Sequence, residues 1–515
     1  MSTRAPAAGL PSPAQPALVV DPVTVPRDDG GLVDVDACVR ALGPADMLES
    51  ADGSGWHYVL PHGRWRLTDD GRRSWLEADG HPVRDLGPDP FAAIDRISEE
   101  LGVSPAAPAD PDLPPMTGGL VGALAYDLAR RVERLPHLTV DDRTGPLLSL
   151  RITEVVCAIT PERDRALLVA RPLPATFAGG HDPHRRAREA VAAARGRLGD
   201  AARRRRQGGP SSRSTTLPVP AQVAWTSLPR PDHLAAIETV LGAIGAGRVF
   251  QVNLAQRLSA RWPGDVHELY RALRSASPAA FGAALPDVGV ASVSPETFLA
   301  VDGVQVRTRP IKGTRPRARD AALDAALADD LATAAKDRAE NIMVVDLERN
   351  DLGRVCRPGS ITVPELTRVE AHPTVWHLVS TVQGQLTAGT GYGELLRATF
   401  PCGSITGAPK IAAMALIEQL ERVRRRWYCG AIGFLSPGHA RLSVAIRTAA
   451  LHPDGIVDHG AGGGIVADSD PSSEHAETLD KAAAFLRAVS AIRVVDGPPT
   501  GHGVPAPGGV GVLRT

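Results

Sequence analysis

The stretch Arg309-Pro310-Ile311-Lys312-Gly313-Thr314-Arg315-Pro316 places a single lysine between a strand-like run and a Gly-Thr-Arg-Pro turn. A lysine amine acts as a nucleophile only when it is neutral, and burial or a neighbouring cation can lower its pKa enough. Gly313 leaves the amine room to approach a ligand. The stretch therefore suggests an amine nucleophile, although an exposed lysine at a strand end is the simpler interpretation of this motif alone.

Acidic residues later in the chain suggest a metal site. Asp470 is a predicted cap of a helix whose first turn carries Glu474 and Glu477. A spacing of three places both carboxylates on one helix face, where a Mg²⁺ ion between them would relieve their repulsion. A solvated acidic first turn, favoured by the helix dipole, explains the same pair. Glu340, in a helix predicted over residues 320–350, is a third metal ligand or a surface charge.

Two glycine-containing stretches indicate an anion-binding site. The run Gly460-Ala-Gly-Gly-Gly-Ile-Val466 offers unencumbered backbone amides, but it does not match GxGxxG. The stretch Gly403-Ser-Ile-Thr-Gly-Ala-Pro-Lys410 misses the P-loop pattern, because a proline precedes its lysine. We therefore reject nucleotide binding for both stretches. A carboxylate is the better ligand, and Arg447 is a candidate partner for it.

Two further residues could take part in acid–base chemistry. His377 lies in the apolar stretch Val375–Thr381, where a buried structural histidine is the default interpretation and a catalytic histidine is the alternative. Glu296, in Ser294-Pro295-Glu296, could act as a general acid if it is buried, because burial raises the pKa of a carboxyl group.

Composition limits the class of protein. With 515 residues, the chain exceeds one small core, and we expect two domains or one large elaborated domain. A charged fraction of 22%, a net charge of −1 and an aromatic content of 4% are those of a globular protein without surfaces for nucleic acid. The five cysteines form no CxxC pair, which favours reduced thiols in a cytoplasm. No apolar run approaches the roughly 20 residues that a membrane helix needs.

The chain divides into several predicted segments. Both ends are rich in proline with alanine or glycine, and we expect them to be disordered. A basic helix beginning at Asp182 and a linker beginning at Gly208 separate two regions of mixed strand and helix patterns, and Gly118–Gly122 is predicted as a turn. The predicted segments are a loose tail (1–30), a first domain (31–175), the basic helix and linker (176–222), a second domain (223–495) and a disordered tail (496–515).

Taken together, these motifs resemble those of the chorismate-utilising enzymes, which include anthranilate, aminodeoxychorismate, isochorismate and salicylate synthases. The similarity is strong from about Trp225 to Ala491 and weaker before that, where Gly118–Asp127 and Leu48-Glu49-Ser50 carry it. It implies an α/β (α+β) fold in which two antiparallel-rich β-sheets stack, with helices outside. Residues 223–495 would form the chorismate-binding catalytic domain, and residues 31–175 would resemble the N-terminal domain of anthranilate synthases.

Two positions separate the chemistries within this family. Lys312 stands in Pro-Ile-Lys-Gly-Thr as in the aminodeoxychorismate synthases, whereas anthranilate synthases carry alanine there. Gln251 stands where isochorismate and salicylate synthases place a water-activating lysine, so the resemblance disfavours water as the nucleophile. Phe400–Lys410 also resembles the aminodeoxychorismate type, although Cys402 replaces a small residue. Amination of chorismate at C4 is thus implied; the anthranilate reaction and a non-catalytic anion-binding homologue are the alternatives.

The resemblance also implies a role for each candidate residue. Lys312 attacks C2 of chorismate while the C4 hydroxyl leaves, Glu296 protonates that hydroxyl, and His377 is a further catalytic residue. Ammonia then attacks C4 and expels the lysine, which gives 4-amino-4-deoxychorismate. Mg²⁺ would be held by a set of carboxylates, Glu340, Glu474 and Glu477. The residues implied in substrate binding are Gly313, Thr314, Tyr428, Arg447, Gly462, Gly463, Gly464, Gln251, Thr406 and Lys410.

The same resemblance points to a partner and to a second small-molecule site. No cysteine lies in the Gly-x-Cys-x-Gly turn of a class I glutamine amidotransferase, so we expect a separate glutamine amidotransferase subunit to supply ammonia. Free ammonium would replace it in vitro. The segment Leu48-Glu49-Ser50 resembles the one that lines a tryptophan pocket in the family, which implies a possible tryptophan site in the first domain.

Overall fold

The computed structural model describes residues 18–50, 55–207 and 219–497. Within them, two large and mostly antiparallel β-sheets stack face to face, and helices cover the outer surfaces. The main core lies between the sheets, where the ring of Tyr58 from one sheet meets the ring of Phe434 from the other at a centroid distance of 5.6 Å. The architecture confirms the predicted fold class.

The two longest strands of the first sheet lie side by side near one end of it. Gln251–Arg261 and Ile456–Ile465 run antiparallel, with Asn253 opposite Gly464. We call Ile456–Ile465 the glycine strand. The described strands of this sheet are, in spatial order, Val19–Pro22, Ala166–Ala170, Val155–Ile159, His57–Pro61, Ala45–Glu49, Phe281–Leu285, Val290–Ser294, Thr448–Leu451, Ile456–Ile465, Gln251–Arg261, Gln222–Thr226 and Ala491–Asp496, with Gly407–Ala408 pairing beside Gln251.

The second sheet contains the strand that carries the lysine motif. Ile311–Pro316, which we call the lysine strand, pairs with Val375–Gln385 and so places Thr314 opposite His377. The described strands of this sheet are, in spatial order, Ile311–Pro316, Val375–Gln385, Gln305–Arg309, Thr297–Asp302, His439–Val444, Ala431–Ser436, Gly119–Leu124, Leu148–Thr153, Trp65–Asp69, Ser74–Ala78 and His81–Gly87, with Thr362–Ala371 also pairing with Val375–Gln385.

The helices begin where the sequence predicted caps. Asp182 and Asp470 both accept hydrogen bonds from backbone amides of the first turns that follow them. The helix predicted over residues 320–350 is two helices that meet at Ala334. The described α-helices are Val35–Leu42, Pro90–Glu100, Ala175–Ala178, Pro183–Arg206, Arg230–Gly245, Val266–Ala276, Ala321–Thr333, Ala335–Gly353, Tyr392–Thr399, Lys410–Leu420 and Pro471–Ala488, with 3₁₀ turns at Tyr126–Arg131, Pro286–Val288 and Gly403–Ile405. None of these helices is both long and apolar enough to cross a bilayer.

Two short segments differ from the sequence predictions. Val19–Pro22, which we expected in a loose tail, pairs with Ala166–Ala170 at the edge of the first sheet. The sequence around Val19 does not show this pairing, because the partner strand is distant in the chain. Gly118–Gly122, predicted as a turn, is mostly strand. Any side chain at Gly122 would collide with the carbonyl oxygen of Ser149, so these glycines allow two strands to approach closely.

The two predicted domains share both sheets. Ala45–Glu49 pairs with Phe281–Leu285 in the first sheet, and Gly119–Leu124 pairs with Ala431–Ser436 in the second. The segments before and after the linker are therefore joined by continuous backbone hydrogen bonding. Most of the predicted linker (208–218) and nearly all of the predicted C-terminal tail (498–515) lie outside the described residues, as do residues 1–17 of the predicted N-terminal tail.

Candidate active site

The amine of Lys312 extends from the lysine strand to the 3₁₀ turn Gly403–Ile405. Lys312 is half-buried, and its Nζ donates to the carbonyl oxygen of Ser404 at 3.1 Å. The predicted Gly-Thr-Arg-Pro turn is instead part of this strand, which is bulged between Ile311 and Thr314. Gly313 has φ +79°, and a side chain there would lie 2.9 Å from Asp337. A glycine is therefore needed for the bulge beside the amine.

A buried acid lies beside this amine. Glu296 sits between two strands and is 4% exposed. Burial raises the pKa of the Glu296 carboxyl group, while a hydrogen bond from Ser404 and the charge of Lys312 act against that rise. Its Oε1 has no hydrogen-bond partner in the described part of the chain. A carboxyl group of this kind keeps its proton to a higher pH than usual and can donate it to a substrate oxygen.

His377 faces the lysine strand from its neighbour. Its Nδ1 lies 2.9 Å from the hydroxyl oxygen of Thr314, and the side chain is buried. Burial lowers the pKa of His377 to about 3, and the positive charge of Arg447 adds to this effect. The imidazole is therefore neutral at physiological pH, and it can donate or accept one hydrogen bond but cannot supply a positive charge.

Arg447 lies at a strained position near this histidine. It has φ +49°, which residues other than glycine rarely adopt, and it directly precedes the strand Thr448–Leu451. Burial lowers the pKa of the guanidinium group, and no carboxylate offsets that effect. Its closest hydrogen-bond partner is the hydroxyl of Ser277, at 3.5 Å. A half-buried guanidinium group without a carboxylate partner is a suitable ligand for an anionic substrate.

The glycine strand is exposed along part of one edge. Thr448–Leu451 pairs with it only as far as His459, so the amides of the following residues on that side have no described strand as a partner. Its two faces are closely covered. Side chains at Gly460 or Gly462 would collide with Tyr428 on one face, and a side chain at Gly463 would lie 3.2 Å from Glu474 on the other. The free edge agrees with the predicted anion-binding role of Gly462, Gly463 and Gly464.

Gln251 joins the glycine strand to the first of the acidic residues. Its Nε2 donates to Oε2 of Glu340 at 3.4 Å, and a side chain at Gly464 would collide with that same amide. Burial raises the pKa of the Glu340 carboxyl group, against the positive charges of Lys312 and Lys336. The amide of Gln251 therefore orients a carboxylate that is close enough to Lys312 to feel its charge.

The three predicted metal ligands converge on the glycine strand. Glu474 accepts from Ser469 Oγ at 2.5 Å and pairs with Lys336 at 3.2 Å, and Glu477 pairs with Lys481 at 2.6 Å. Among the described residues, no three side chains form a ready-made metal cluster. Hard carboxylate oxygens fit Mg²⁺, but both lysine pairs would have to open to make them available.

Two predicted substrate ligands have other partners. The amine of Lys410 forms an ion pair with the buried carboxylate of Asp351 and donates to the carbonyl oxygen of Pro401 at 2.9 Å. Thr406 is buried, and its hydroxyl donates to the carbonyl oxygen of Gly403 at 3.1 Å. Both residues therefore help to hold the loop around Ser404 in place, and their role in substrate binding stays a prediction.

The sequence analysis missed a buried network behind Ser404. Glu348 accepts from the backbone amide of Gly403 at 2.9 Å and from the thiol of Cys402 at 3.3 Å. The thiol sulfur in turn lies 3.2 Å from the hydroxyl of Ser404. Burial raises the pKa of Glu348 to about 7, and the neighbouring Asp351 contributes. The only sequence signal for this network was the unusual Cys402. The sequence analysis also missed Lys481, which its four-residue spacing to Glu477 could have identified as the partner of that carboxylate.

A cavity of about 780 Å³ lies between the sheets at the predicted tryptophan segment. Leu48, Glu49 and Ser50 line it together with Phe281 and Phe434. The carboxylate of Glu49 accepts hydrogen bonds from Tyr270 and Arg274, both at 2.7 Å. The segment therefore borders a space large enough for an amino acid, and tryptophan as its occupant stays a prediction.

Comparison with known proteins identifies the family of this chain. Residues 78–487 match the model of the chorismate binding enzyme family. The chain belongs to this family. It is 36% identical to anthranilate synthase component 1 of Mycobacterium tuberculosis, over 88% of this chain and 89% of that protein. It is 38% identical to aminodeoxychorismate synthase component 1 of Escherichia coli, over 78% of this chain and 82% of that protein.

Solved structures of chorismate-utilising enzymes share the fold. The crystal structure of anthranilate synthase component I from Streptococcus pneumoniae superposes with a TM-score of 0.68 at 27% identity, covering 84% of this chain and 92% of that one. The menaquinone-specific isochorismate synthase of Escherichia coli superposes with a TM-score of 0.66 at 18% identity, covering 92% of this chain and 95% of that one. The chain is thus a chorismate-utilising enzyme, and its relatives divide between several reactions.

Proposed function

We propose that this enzyme aminates chorismate at C4 and so acts as an aminodeoxychorismate synthase component 1. The observation that carries the proposal is the position of Lys312, whose amine lies 3.1 Å from the Ser404 carbonyl oxygen and beside the buried acid Glu296. An alanine in place of Lys312 would leave the lysine strand without a nucleophile, and only direct attack by ammonia would remain.

The proposed chemistry divides one difficult substitution into two. The neutral amine of Lys312 attacks C2, the ring double bonds shift, and the C4 hydroxyl leaves as water with the proton of Glu296. Ammonia then attacks C4, the double bonds shift back, and the lysine leaves C2. The raised pKa of Glu296 supports its role as the acid, because hydroxide itself is a poor leaving group.

The substrate carboxylates have plausible ligands on both sides of the amine. Arg447 and the free edge of the glycine strand offer a guanidinium group and backbone amides. We propose that Mg²⁺ binds Glu340, Glu474 and Glu477. The metal would neutralise a substrate carboxylate and draw electron density from the ring. The neutral imidazole of His377 would donate or accept a hydrogen bond beside Thr314, without adding charge.

We also propose a separate glutamine amidotransferase subunit as the source of ammonia. The described relatives are named component 1, which implies a second component in those proteins. The product, 4-amino-4-deoxychorismate, is a precursor of p-aminobenzoate. The purified chain should therefore be active with ammonium alone, and glutamine should support activity only after the partner is added.

Anthranilate synthase component 1 is the second candidate, because the mycobacterial relatives of that name cover more of this chain than the aminodeoxychorismate synthases do. Incubation with chorismate, Mg²⁺ and ammonium, followed by chromatography with mass detection, separates the two. We expect 4-amino-4-deoxychorismate and no pyruvate. Fluorescent anthranilate with an equal amount of pyruvate would contradict the proposal, and removal of Mg²⁺ with a chelator should stop the reaction in either case.

A further inference from the structure

A second cavity, of about 360 Å³, lies apart from the lysine strand. Its walls are the N-terminal edge strand, the segment that precedes Gly118, and the tip of the hairpin between Ala431–Ser436 and His439–Val444. Seven of its eleven described lining residues are apolar, but polar atoms contribute about half of the exposed wall. The exceptions among the described lining residues are Arg171, Thr117, Asp110 and His439.

Arg171 is the unusual member of this lining. Its side chain is 3% exposed, and both Nε and Nη1 are buried without a hydrogen-bond partner among the described residues. Burial lowers the pKa of Arg171 to about 10, and no carboxylate acts against that effect. The guanidinium group is still protonated at neutral pH. A buried cation without a counter-charge is strongly unfavourable, so the fold contains a charge that lacks its partner.

The surrounding backbone holds this arginine in place. Gly118 has φ +117°, and a side chain there would lie 2.9 Å from Cβ of Arg171, so the glycine makes room for the arginine stem. The amide of Thr117 donates to the hydroxyl of Ser436 at 3.2 Å, and the amide of Gly438 donates to the carbonyl oxygen of Ser104 at 2.9 Å. These bonds tie the cavity walls to each other, and the cavity is therefore part of the folded structure.

The described lining of this cavity offers no buried carboxylate to Arg171. The acidic residue in the lining, Asp110, is exposed, and its Oδ1 accepts a hydrogen bond from the amide of Asp112 at 2.9 Å. Residues 1–17, which directly precede the lining residue Leu18, contain no aspartate or glutamate. Neither the buried part of the described lining nor the side chains of residues 1–17 therefore provide a counter-charge for Arg171.

We propose that this cavity binds a small organic acid, with its carboxylate on the guanidinium group of Arg171. The apolar body of the ligand would lie against Leu18, Leu113 and Pro114. The carboxylate would supply the missing negative charge, and the apolar part of the wall would contact the body of an aromatic or branched acid, which inorganic phosphate lacks. This site does not depend on which amination the enzyme performs.

Isothermal titration calorimetry with benzoate as the probe tests this site. Benzoate should bind the full-length protein, whereas benzyl alcohol, which lacks the charge, and inorganic phosphate, which lacks the apolar body, should bind at least about tenfold more weakly. Arg171→Met should weaken benzoate binding by about tenfold or more. The matched control is Arg165→Met, which removes a guanidinium group whose side chain is 78% exposed and should change nothing.

The chorismate site could also bind benzoate, and Arg447→Met separates the two sites. Benzoate binding that survives Arg447→Met and is lost in Arg171→Met supports the proposal, and the reverse pattern overturns it. Phosphate binding as tightly as benzoate would overturn the organic acid as the ligand class.

Thermal unfolding gives a second, independent readout. Arg171→Met removes an unpaired buried charge, so the variant should melt no lower than the unchanged protein when no ligand is present. Benzoate should raise the melting temperature of the unchanged protein and of Arg165→Met but leave Arg171→Met unaffected. A variant that melts lower without ligand would show that Arg171 already has a partner, and the proposal would fail.

Discussion

At the scale of single residues, the proposed reaction rests on an amine and an acid that share one neighbour. Lys312 donates to the carbonyl oxygen of Ser404, and the hydroxyl of the same serine hydrogen-bonds Glu296. The lysine must lose a proton to attack, and the carboxylate must gain one to release water. Their closeness allows the proton to pass from one to the other before the substrate reacts.

Replacement of Glu296 by glutamine tests its role as the acid. Glu296→Gln keeps the size and polarity of the side chain but cannot donate the proton, so kcat should fall by about 10²–10⁴-fold. KM for chorismate should change little, since the residue acts on the leaving group. Steady-state kinetics with ammonium measures both constants. Glu189→Gln, at an exposed helix position whose side chain is 64% exposed, is the control, and equal kcat values in the two variants would remove Glu296 from the mechanism.

At the scale of elements, the glycine strand works because Gly462, Gly463 and Gly464 carry no side chains, so side chains of neighbouring elements can pack directly against both of its faces. Gln251 and Glu340 lie against Gly464 on the face shared with Gly462, and Glu474 lies against Gly463 on the other face. This arrangement brings a carboxylate from the helix Ala335–Gly353 to the strand from one side. The glycine strand therefore lies between Glu340, which feels the charge of Lys312, and Glu474.

Adding a single methyl group at Gly464 should lower the activity of the enzyme. Gly464→Ala places a methyl group against the amide of Gln251 and 3.3 Å from Oε2 of Glu340, so it should displace the carboxylate and lower kcat/KM by about tenfold or more. Kinetics at several Mg²⁺ concentrations would record the loss. Gly242→Ala, in a helix with no atom within 4 Å of the added carbon, should be as active as the unchanged enzyme. A fully active Gly464→Ala would contradict the proposed arrangement.

The buried Glu348 should make stability depend on pH in a defined direction. Its pKa of about 7 in the folded protein lies above the ordinary carboxyl value, so the folded state holds the extra proton between those values. The contribution of this proton to stability is present below the ordinary value and is lost as the pH rises through about 7. The melting temperature of the unchanged protein should therefore fall more than that of Glu348→Gln between about pH 5 and about pH 8. An equal fall in melting temperature for the two proteins over this pH range would refute the raised pKa of Glu348.

The sequence predicted the fold class and the helix starts better than the local structure around glycines, and the chemistry of the site stays a prediction. Helix starts at Asp182 and Asp470 were predicted correctly, because capping depends on residues that are adjacent in the chain. Glycines were less informative. The sequence predicted turns at Gly118–Gly122 and after Lys312, but both segments are mostly strand in the structure. Their glycines allow close approach to residues that are distant in the chain, Ser149 for Gly122 and Asp337 for Gly313. The ion pair of Lys410 could not be predicted from the sequence either, since its partner Asp351 is close only in the folded protein.

At the scale of the whole molecule, the two halves of the chain cannot be separated without opening both sheets. Ala45–Glu49 covers the edge of Phe281–Leu285, and Gly119–Leu124 covers the edge of Ala431–Ser436. The sequence predicted two regions because the composition changes at the linker. It could not show that strands on either side of the linker pair with each other.

A fragment of residues 223–497 tests this interleaving. Without residues 18–207, the fragment would expose the edges of Phe281–Leu285 and Ala431–Ser436. Exposed apolar strand edges cause aggregation. We expect the fragment to be insoluble when expressed alone and to become soluble when residues 18–207 are supplied as a second polypeptide. Size-exclusion chromatography and circular dichroism measure the outcome. A monomeric, folded fragment with a cooperative melting transition would show that the second region is an independent domain.

The central claim is that the substrate is held covalently by Lys312 before ammonia arrives. Mass spectrometry of the enzyme, quenched after mixing with chorismate and Mg²⁺ but without ammonium, tests it most directly. We predict an added mass of chorismate less water on the peptide that contains Lys312, and its disappearance when ammonium is added. Lys312→Ala should show no adduct and no 4-amino-4-deoxychorismate. Formation of that product by Lys312→Ala at the unchanged rate, or a reacting enzyme without an adduct on Lys312, would contradict the account.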